Sequence, residues 1–188
     1  MWRARVLRAW LRSREFLSWP QSAHAVIDAE VLTARSDALP EYRWSGGMLR
    51  RWRDHLYLDH SQPELPQGWS CEWDGMAALA LPTGDTLAFT PETEAIVKFH
   101  ETKFTLAPFP VVVRARRGGE RIVLPGRQHS HCLKHVLQQH GVPPWRRAQL
   151  PLLFASDGDL LAAGDSIVSA RLLEYCRENA VRVHFQSW

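Results

Sequence analysis

Between Val111 and Gln149 the chain carries eight Lys/Arg against one acid, Glu120, a net of +7, set among paired glycines and prolines. The order is Arg114-Ala115-Arg116-Arg117-Gly118-Gly119-Glu120-Arg121, then Leu124-Pro125-Gly126-Arg127, a segment bearing Lys134, Pro143-Pro144-Trp145-Arg146-Arg147 and Leu150-Pro151-Leu152. A run of charge is ordinarily a solvated face. This one is interleaved with apolar residues at strand and helix periods, which a disordered basic tail lacks. A folded surface so rich in cations asks for a polyanion.

The local signals around it are those of an α+β module over 111–188. Val111 to Arg116 and Ile122 to Leu124, joined through Gly118-Gly119, read as a hairpin, because glycine supplies the positive φ of such a turn. Ser130 is placed to cap a helix with Leu133, Val136 and Leu137 inward and Lys134 outward, stopped by Gly141 and Pro143. Leu152–Phe154 and Leu160–Ala163 flank Asp157-Gly158 as a second hairpin. Ser169 opens a last helix with Leu172, Leu173 and Cys176 inside, and residues 181–185 alternate as a final strand. The expected module is thus a mainly antiparallel sheet with two helices.

Ahead of it, residues 1–60 read as a small helical module with hairpins. Val6, Leu7, Trp10 and Leu11 recur at helical spacing among five arginines in the first 14 residues, with no acid among them. A second helix follows, with Ser22 as its cap and Ala23, Val26, Ile27 and Val31 in one stripe. Tyr42 and Trp44 alternate up to Ser45-Gly46-Gly47, and Leu49 to Arg53 returns before Leu56-Tyr57-Leu58. Residues 61–110 read as a strand-and-loop connection, with the next boundary near Ala107-Pro108-Phe109-Pro110. Residues 54–101 hold nine acids and one base, a net of −8. A polyanion should therefore touch the two ends and avoid the middle.

The ordered motifs Arg-x-Arg-x-Gly-Gly-Glu, Leu-Pro-Gly-Arg, Leu-Lys on a helix, Pro-Pro-Trp-x-Arg and Leu-Pro-Leu-Leu make residues 111–185 resemble the C-terminal domain of the bacterial tRNA(Ile)-lysidine synthase family. More weakly, Leu7 to Arg12 and Trp44 to Leu58 resemble that family's substrate-binding domain. The resemblance implies an enzyme that uses ATP to attach lysine to the wobble cytidine of the CAU anticodon of tRNA(Ile), here without its catalytic front domain. The expected role is a tRNA-binding rear portion; a stand-alone RNA-binding module or a nonfunctional remnant is the alternative. The expected partner is tRNA, with a separate catalytic domain or chain supplying the ATP and lysine chemistry. No cofactor is expected in this chain. Contact is expected from Arg114, Arg116, Arg121, Arg127, Lys134, Trp145, Arg146 and Arg147, and from Arg50 and Arg51; some arginines of the first helix are further RNA contacts on the same resemblance. Arginine suits this task because its planar fork can bridge phosphate oxygens or stack on a base. Trp145 either plugs the core beneath the prolines or stacks on a nucleotide.

Other chemistries find little footing. The family's ATP loop reads Ser-Gly-Gly-x-Asp-Ser, whereas Leu49 and Arg50 follow Ser45-Gly46-Gly47-Met48, so that tripeptide is read as a turn. His131 and His135 lie four apart, but His129, Cys132 and His140 complete no zinc-ligand pattern. Asp157, Asp159 and Asp165 sit where turns favour aspartate, and no catalytic residue is assigned. Three scattered cysteines and the lack of a long apolar run point to a cytoplasmic protein without membrane spans.

Overall fold

In a computed structural model, which describes residues 2–14, 22–35, 37–60, 63–91 and 111–186, the chain divides into two units, Met1–Gln62 and Pro63–Trp188. The first unit opens with α1 (Trp2–Ser13). Leu7 and Leu11, one turn apart, are buried while the helix's four arginines, and Arg14 just beyond it, are exposed. The next helix, α2 (Ala23–Val26), runs on into a π-helical turn, Ile27–Leu32. Ala23, Ile27 and Val31 form the inward stripe; the Ser22 side chain makes no capping bond. These residues pack with Leu7 and Leu49 against Trp10, Tyr42, Trp44, Leu56 and Leu58.

The sheet beneath them is a three-stranded antiparallel meander of β1 (Glu41–Trp44), β2 (Gly47–Trp52) and β3 (His55–Asp59). Leu49 stands between Tyr42 and Leu58, so the period of two sends it to the helix side together with Arg51. Arg51 is accordingly half-buried. Its guanidinium donates to the carbonyl of Leu32 at 2.6 Å, to that of Arg35 at 3.2 Å and to that of Ala34. These are carbonyls at and just beyond the helix end, which lack intrahelical donors.

The second unit corrects the reading of 61–110 as a connection: its described strands belong to the sheets of this unit. β4 (Ser70–Trp73) and β7 (Val111–Arg114) pair in a five-stranded sheet ordered β12-β11-β10-β7-β4, with β10 (Leu152–Phe154), β11 (Leu160–Ala163) and β12 (Ile167–Val168). β5 (Leu79–Ala80) and β6 (Thr86–Pro91) join the final strand β13 (Val181–Gln186) in a second sheet. The boundary expected at 107–110 lies outside the described residues. Every strand pair described is antiparallel.

The Asp157-Gly158 hairpin forms, joining β10 to β11. The one proposed through Gly118-Gly119 does not. Both edges of β7 are taken, by β4 and by β10, so Arg121–Ile122 (β8) pairs instead with His131–Cys132 (β9). Three helices replace the expected two: α3 (Leu133–Gln139), α4 (Pro144–Gln149) and α5 (Ala170–Glu178). The extra one, α4, is Pro-Trp-Arg-Arg-Ala-Gln itself. Proline at its first position gives up an N–H that the first turn would not use.

Neighbouring residues of β10 go to opposite faces of the large sheet. Leu153 joins a core with Val111, Val113, Leu161, Leu172 and Val183, and Leu152 joins another with Ile122, Leu133, Val136, Leu137 and Ile167. Burial on both faces accounts for the unbroken apolar run there. The second core underlies the basic series.

Within the first unit, Arg51→Met should cost about 2 kcal/mol, because carbonyls at the helix end lose charged donors. Arg51→Lys should recover only part of this, since an ammonium lacks the guanidinium fork. Denaturant unfolding of the three proteins checks both statements.

Candidate nucleic-acid interface

The basic series is built around its only acid. Glu120 is 7% exposed, and its Oε1 accepts the backbone N–H of Arg117 at 2.6 Å and of Gly118 at 2.9 Å. Gly118 and Gly119 have φ of +90° and +79° with open space where a Cβ would stand, so glycine is needed there for conformation and not for room. The same carboxylate lies 3.8 Å from Arg114 Nη1 and 3.7 Å from Arg116 Nε. Burial raises its pKa, but the backbone donors and Arg116 outweigh burial and hold the carboxyl below its ordinary value. The Glu120 carbonyl also accepts the N–H of Leu133 at 2.8 Å, which ties the loop to the start of α3.

That bond explains a further difference from expectation. Ser130 does not cap α3: its hydroxyl and carbonyl accept from Arg121, at 2.9 and 2.6 Å. The cap position belongs to Cys132, which contributes no side-chain bond. Gly141 ends the helix with φ +68° and Lys134 faces solvent, both as the sequence indicates.

The candidate arginines thus fall into two kinds. Arg114 lies over the Phe154 ring at 4.0 Å and beside Glu120. Arg116 is mostly covered against Glu120. Arg121 grips Ser130, and Arg147 Nε donates to the Val142 carbonyl at 2.8 Å. In the other unit, Arg50 pairs with Glu41 at 3.1 Å and Arg51 holds the helix end. These six are used by the fold. Arg127, Lys134 and Arg146 are exposed, and so is Arg117, which the candidate residues omitted. Its position beside the turn glycines, with only its backbone given to Glu120, was the available clue. Trp145 is half-buried on α4. Lys134 stands on the solvent side of α3, whose Leu133, Val136 and Leu137 lie in the core with Ile122 and Leu152; Leu124, Val142 and Leu150, near Arg127 and flanking α4, pack against that core.

The remaining polar clusters have structural employment. Asp157 and Asp159 lie 2.6 and 3.4 Å from Arg171, Asp165 accepts from the Phe185 N–H at 3.4 Å, and the Ser169 side chain accepts the Leu172 N–H at the start of α5. Among the described residues no three His, Cys, Asp or Glu gather closely enough to hold a metal ion. Ser45-Gly46 forms the β1–β2 turn, with Trp44 opposite Gly47. Strand leads there to strand, without the helix N-terminus that a phosphate loop requires, so this tripeptide does not fit ATP. No described helix is long and apolar enough to cross a membrane.

Glu120→Gln should destabilise the second unit by about 2 kcal/mol at neutral pH, since buried donors lose a charged acceptor. The native pKa is depressed, so the ionised carboxylate favours the folded state. Its contribution is complete above the unfolded carboxylate pKa and is lost as pH falls through the native value. Melting curves of wild type and variant should therefore converge on acidification.

Two family models match the chain: the TilS substrate binding domain over residues 1–57 and the TilS substrate C-terminal domain over residues 111–185. A tRNA(Ile)-lysidine synthase of Xylella fastidiosa is 42% identical over 98% of this chain, and one of Xanthomonas campestris pv. campestris is 43% identical over 98%. The chain spans 40% of the length of each of these relatives. A crystal structure of the TilS C-terminal domain aligns with TM-score 0.42 at 22% identity, covering 63% of this chain and 98% of that one, too loose a likeness to build on. Matched over most of its length by the two domain models, the chain belongs to the tRNA(Ile)-lysidine synthase family, of which it carries the substrate-binding and C-terminal domains.

Proposed function

We propose that this chain is the tRNA-gripping rear portion of a tRNA(Ile)-lysidine synthase, holding the body of the tRNA by backbone and shape. The ATP-dependent attachment of lysine to the wobble cytidine belongs, in this reading, to a catalytic domain outside these residues. The observation that carries it is the sorting of cations about Glu120: some are clamped into the fold, while Arg117, Arg127 and Lys134 are left exposed in the same stretch, Lys134 on a helix packed into the core. Cations on a rigid base lose little entropy on docking, and phosphate contacts of this kind set position rather than sequence. Cys71, Cys132 and Cys176 form no disulfide, which suits the reducing cytoplasm in which tRNA is modified.

Folded tRNA should therefore bind with an affinity that falls steeply with salt. Arg127→Ala, Lys134→Ala and Arg146→Ala combined should lower the slope of log K against log salt by roughly 0.7–0.9 for each phosphate that is no longer neutralised. Affinity should differ little between tRNA(Ile) carrying CAU and the same tRNA with another anticodon, and an unstructured RNA of equal length should bind less well. A strong anticodon preference would overturn this division of labour.

A second expected outcome concerns chemistry. Given tRNA, ATP and lysine, the isolated chain should form no lysidine; its appearance in a purified reaction would place the catalytic machinery within these residues.

A further inference from the structure

The first helix, α1, is apolar on two opposite sides. Leu7 and Leu11 are 9% and 1% exposed, and Leu7 packs with Trp10 in the core of the first unit. At about 100° per residue, Trp2, Val6 and Ala9 fall within roughly 60° of one another on the far side of the helix. Trp2 is 70% exposed and Val6 53%, and Ala9 is exposed with them. A surface helix ordinarily turns one apolar stripe to its core and a polar face to water. Scattered exposed apolar residues need no explanation, but a tryptophan and a valine one turn apart, on the side away from the core, are the pattern of a helix held between two layers.

The borders of this stripe decide what kind of surface fits it. Arg5 and Arg12 lie along one edge and Arg3 along the other, all exposed, and the helix contains no acid. A second copy of the chain would set arginine against arginine as the apolar residues met, and like charge across an interface disfavours it. A membrane surface would attract the arginines, but the Leu7–Leu11 side is committed to the core, which leaves only two large apolar side chains to enter lipid. A protein surface with apolar residues between carboxylates matches both the stripe and its borders. The relatives that the chain matches have such a surface to offer, because the chain spans 40% of their length.

We infer that Trp2, Val6 and Ala9, bordered by Arg3, Arg5 and Arg12, dock an acid-flanked apolar segment from the rest of a tRNA(Ile)-lysidine synthase, the portion that these relatives carry beyond the matched 40%. The inference rests on the reading above that the catalytic domain lies outside these residues, and it names the side of α1 that meets the remainder of the enzyme. Burial of the tryptophan and valine drives the contact, and the arginines at its rim select an acidic partner.

The test compares the isolated chain with a whole enzyme. Val6→Cys is made in this chain and in a chimera in which this chain replaces the matched part of the Xanthomonas campestris synthase. A cysteine is also placed at the aligned position of that whole natural synthase. Labelling by a thiol reagent is followed by peptide mass, which separates the new site from Cys71, Cys132 and Cys176. The site should label rapidly in the isolated chain and about tenfold or more slowly in the chimera and in the natural synthase, a ratio that corresponds to burial in most molecules at a time. Arg5→Glu with Arg12→Glu should restore much of the rate in the chimera. Rapid labelling in the whole natural synthase overturns the inference, even where the chimera fails to fold. Slow labelling of the isolated chain together with sedimentation as a dimer assigns the stripe to a second copy, and co-sedimentation with anionic phospholipid vesicles assigns it to a membrane; either result also overturns it. Trp2→Ser with Val6→Ser should leave the melting temperature and tRNA affinity of the isolated chain unchanged, whereas a loss of tRNA affinity would make the stripe part of the RNA surface and contradict docking. Failure of the wild-type chain to bind tRNA removes only the tRNA reading, since labelling decides the docking surface by itself.

Discussion

The buried carboxylate of Glu120 is the interaction on which the second unit's basic surface depends. It is a single anion among eight cations between residues 111 and 149, and it is the one kept from solvent. A carboxylate so placed is tolerable because two backbone N–H groups hydrogen-bond its Oε1 and the guanidiniums of Arg114 and Arg116 lie at ion-pair distance. Its side chain closes the loop between β7 and β8 and its carbonyl receives the first N–H of α3. One residue thereby couples sheet, loop and helix. Without it, Arg114 and Arg116 would both lose the carboxylate that they approach to 3.8 and 3.7 Å.

This arrangement separates two uses of arginine that composition cannot tell apart. A guanidinium directed at a carbonyl or a carboxylate of its own fold is a structural cross-link, as with Arg51 at the helix end, Arg121 at Ser130 and Arg147 at Val142. One directed at solvent on a rigid element is available to a ligand. In the second unit the first kind supports the second: α3 is anchored through Arg121 and Glu120, and it carries the exposed Lys134. In the first unit the division runs between elements, with the sheet arginines Arg50 and Arg51 engaged and those of α1 exposed.

The acidic middle of the sequence also has a structural position. Glu72 lies on β4, Asp74 just beyond it, and Asp85 ahead of β6; Asp85 is buried and accepts from the Thr83 hydroxyl at 2.8 Å. β4 and β6 thus place part of the acidic stretch in the same unit as the basic series. The segregation of charge expected from sequence is one between elements of that unit, not between separate domains.

The sequence by itself determined the class of fold, the Asp157-Gly158 hairpin, the last helix and strand, and the family, because each rests on a local period, a turn residue or an ordered motif. It determined also that Lys134 faces outward, since Leu133, Val136 and Leu137 leave only one side of α3 for it. Only the tertiary structure decided that β4 and β6 complete the sheets of the second unit, since strand pairing over long separations leaves no local mark. It alone decided that Gly118-Gly119 does not close a hairpin, because two other strands already hold the edges of β7. And it alone divided the arginines: whether a guanidinium meets a carbonyl or water depends on what the fold brings opposite it, and residues such as Arg51 and Leu32, nineteen apart in the chain, meet only when helix and sheet have packed.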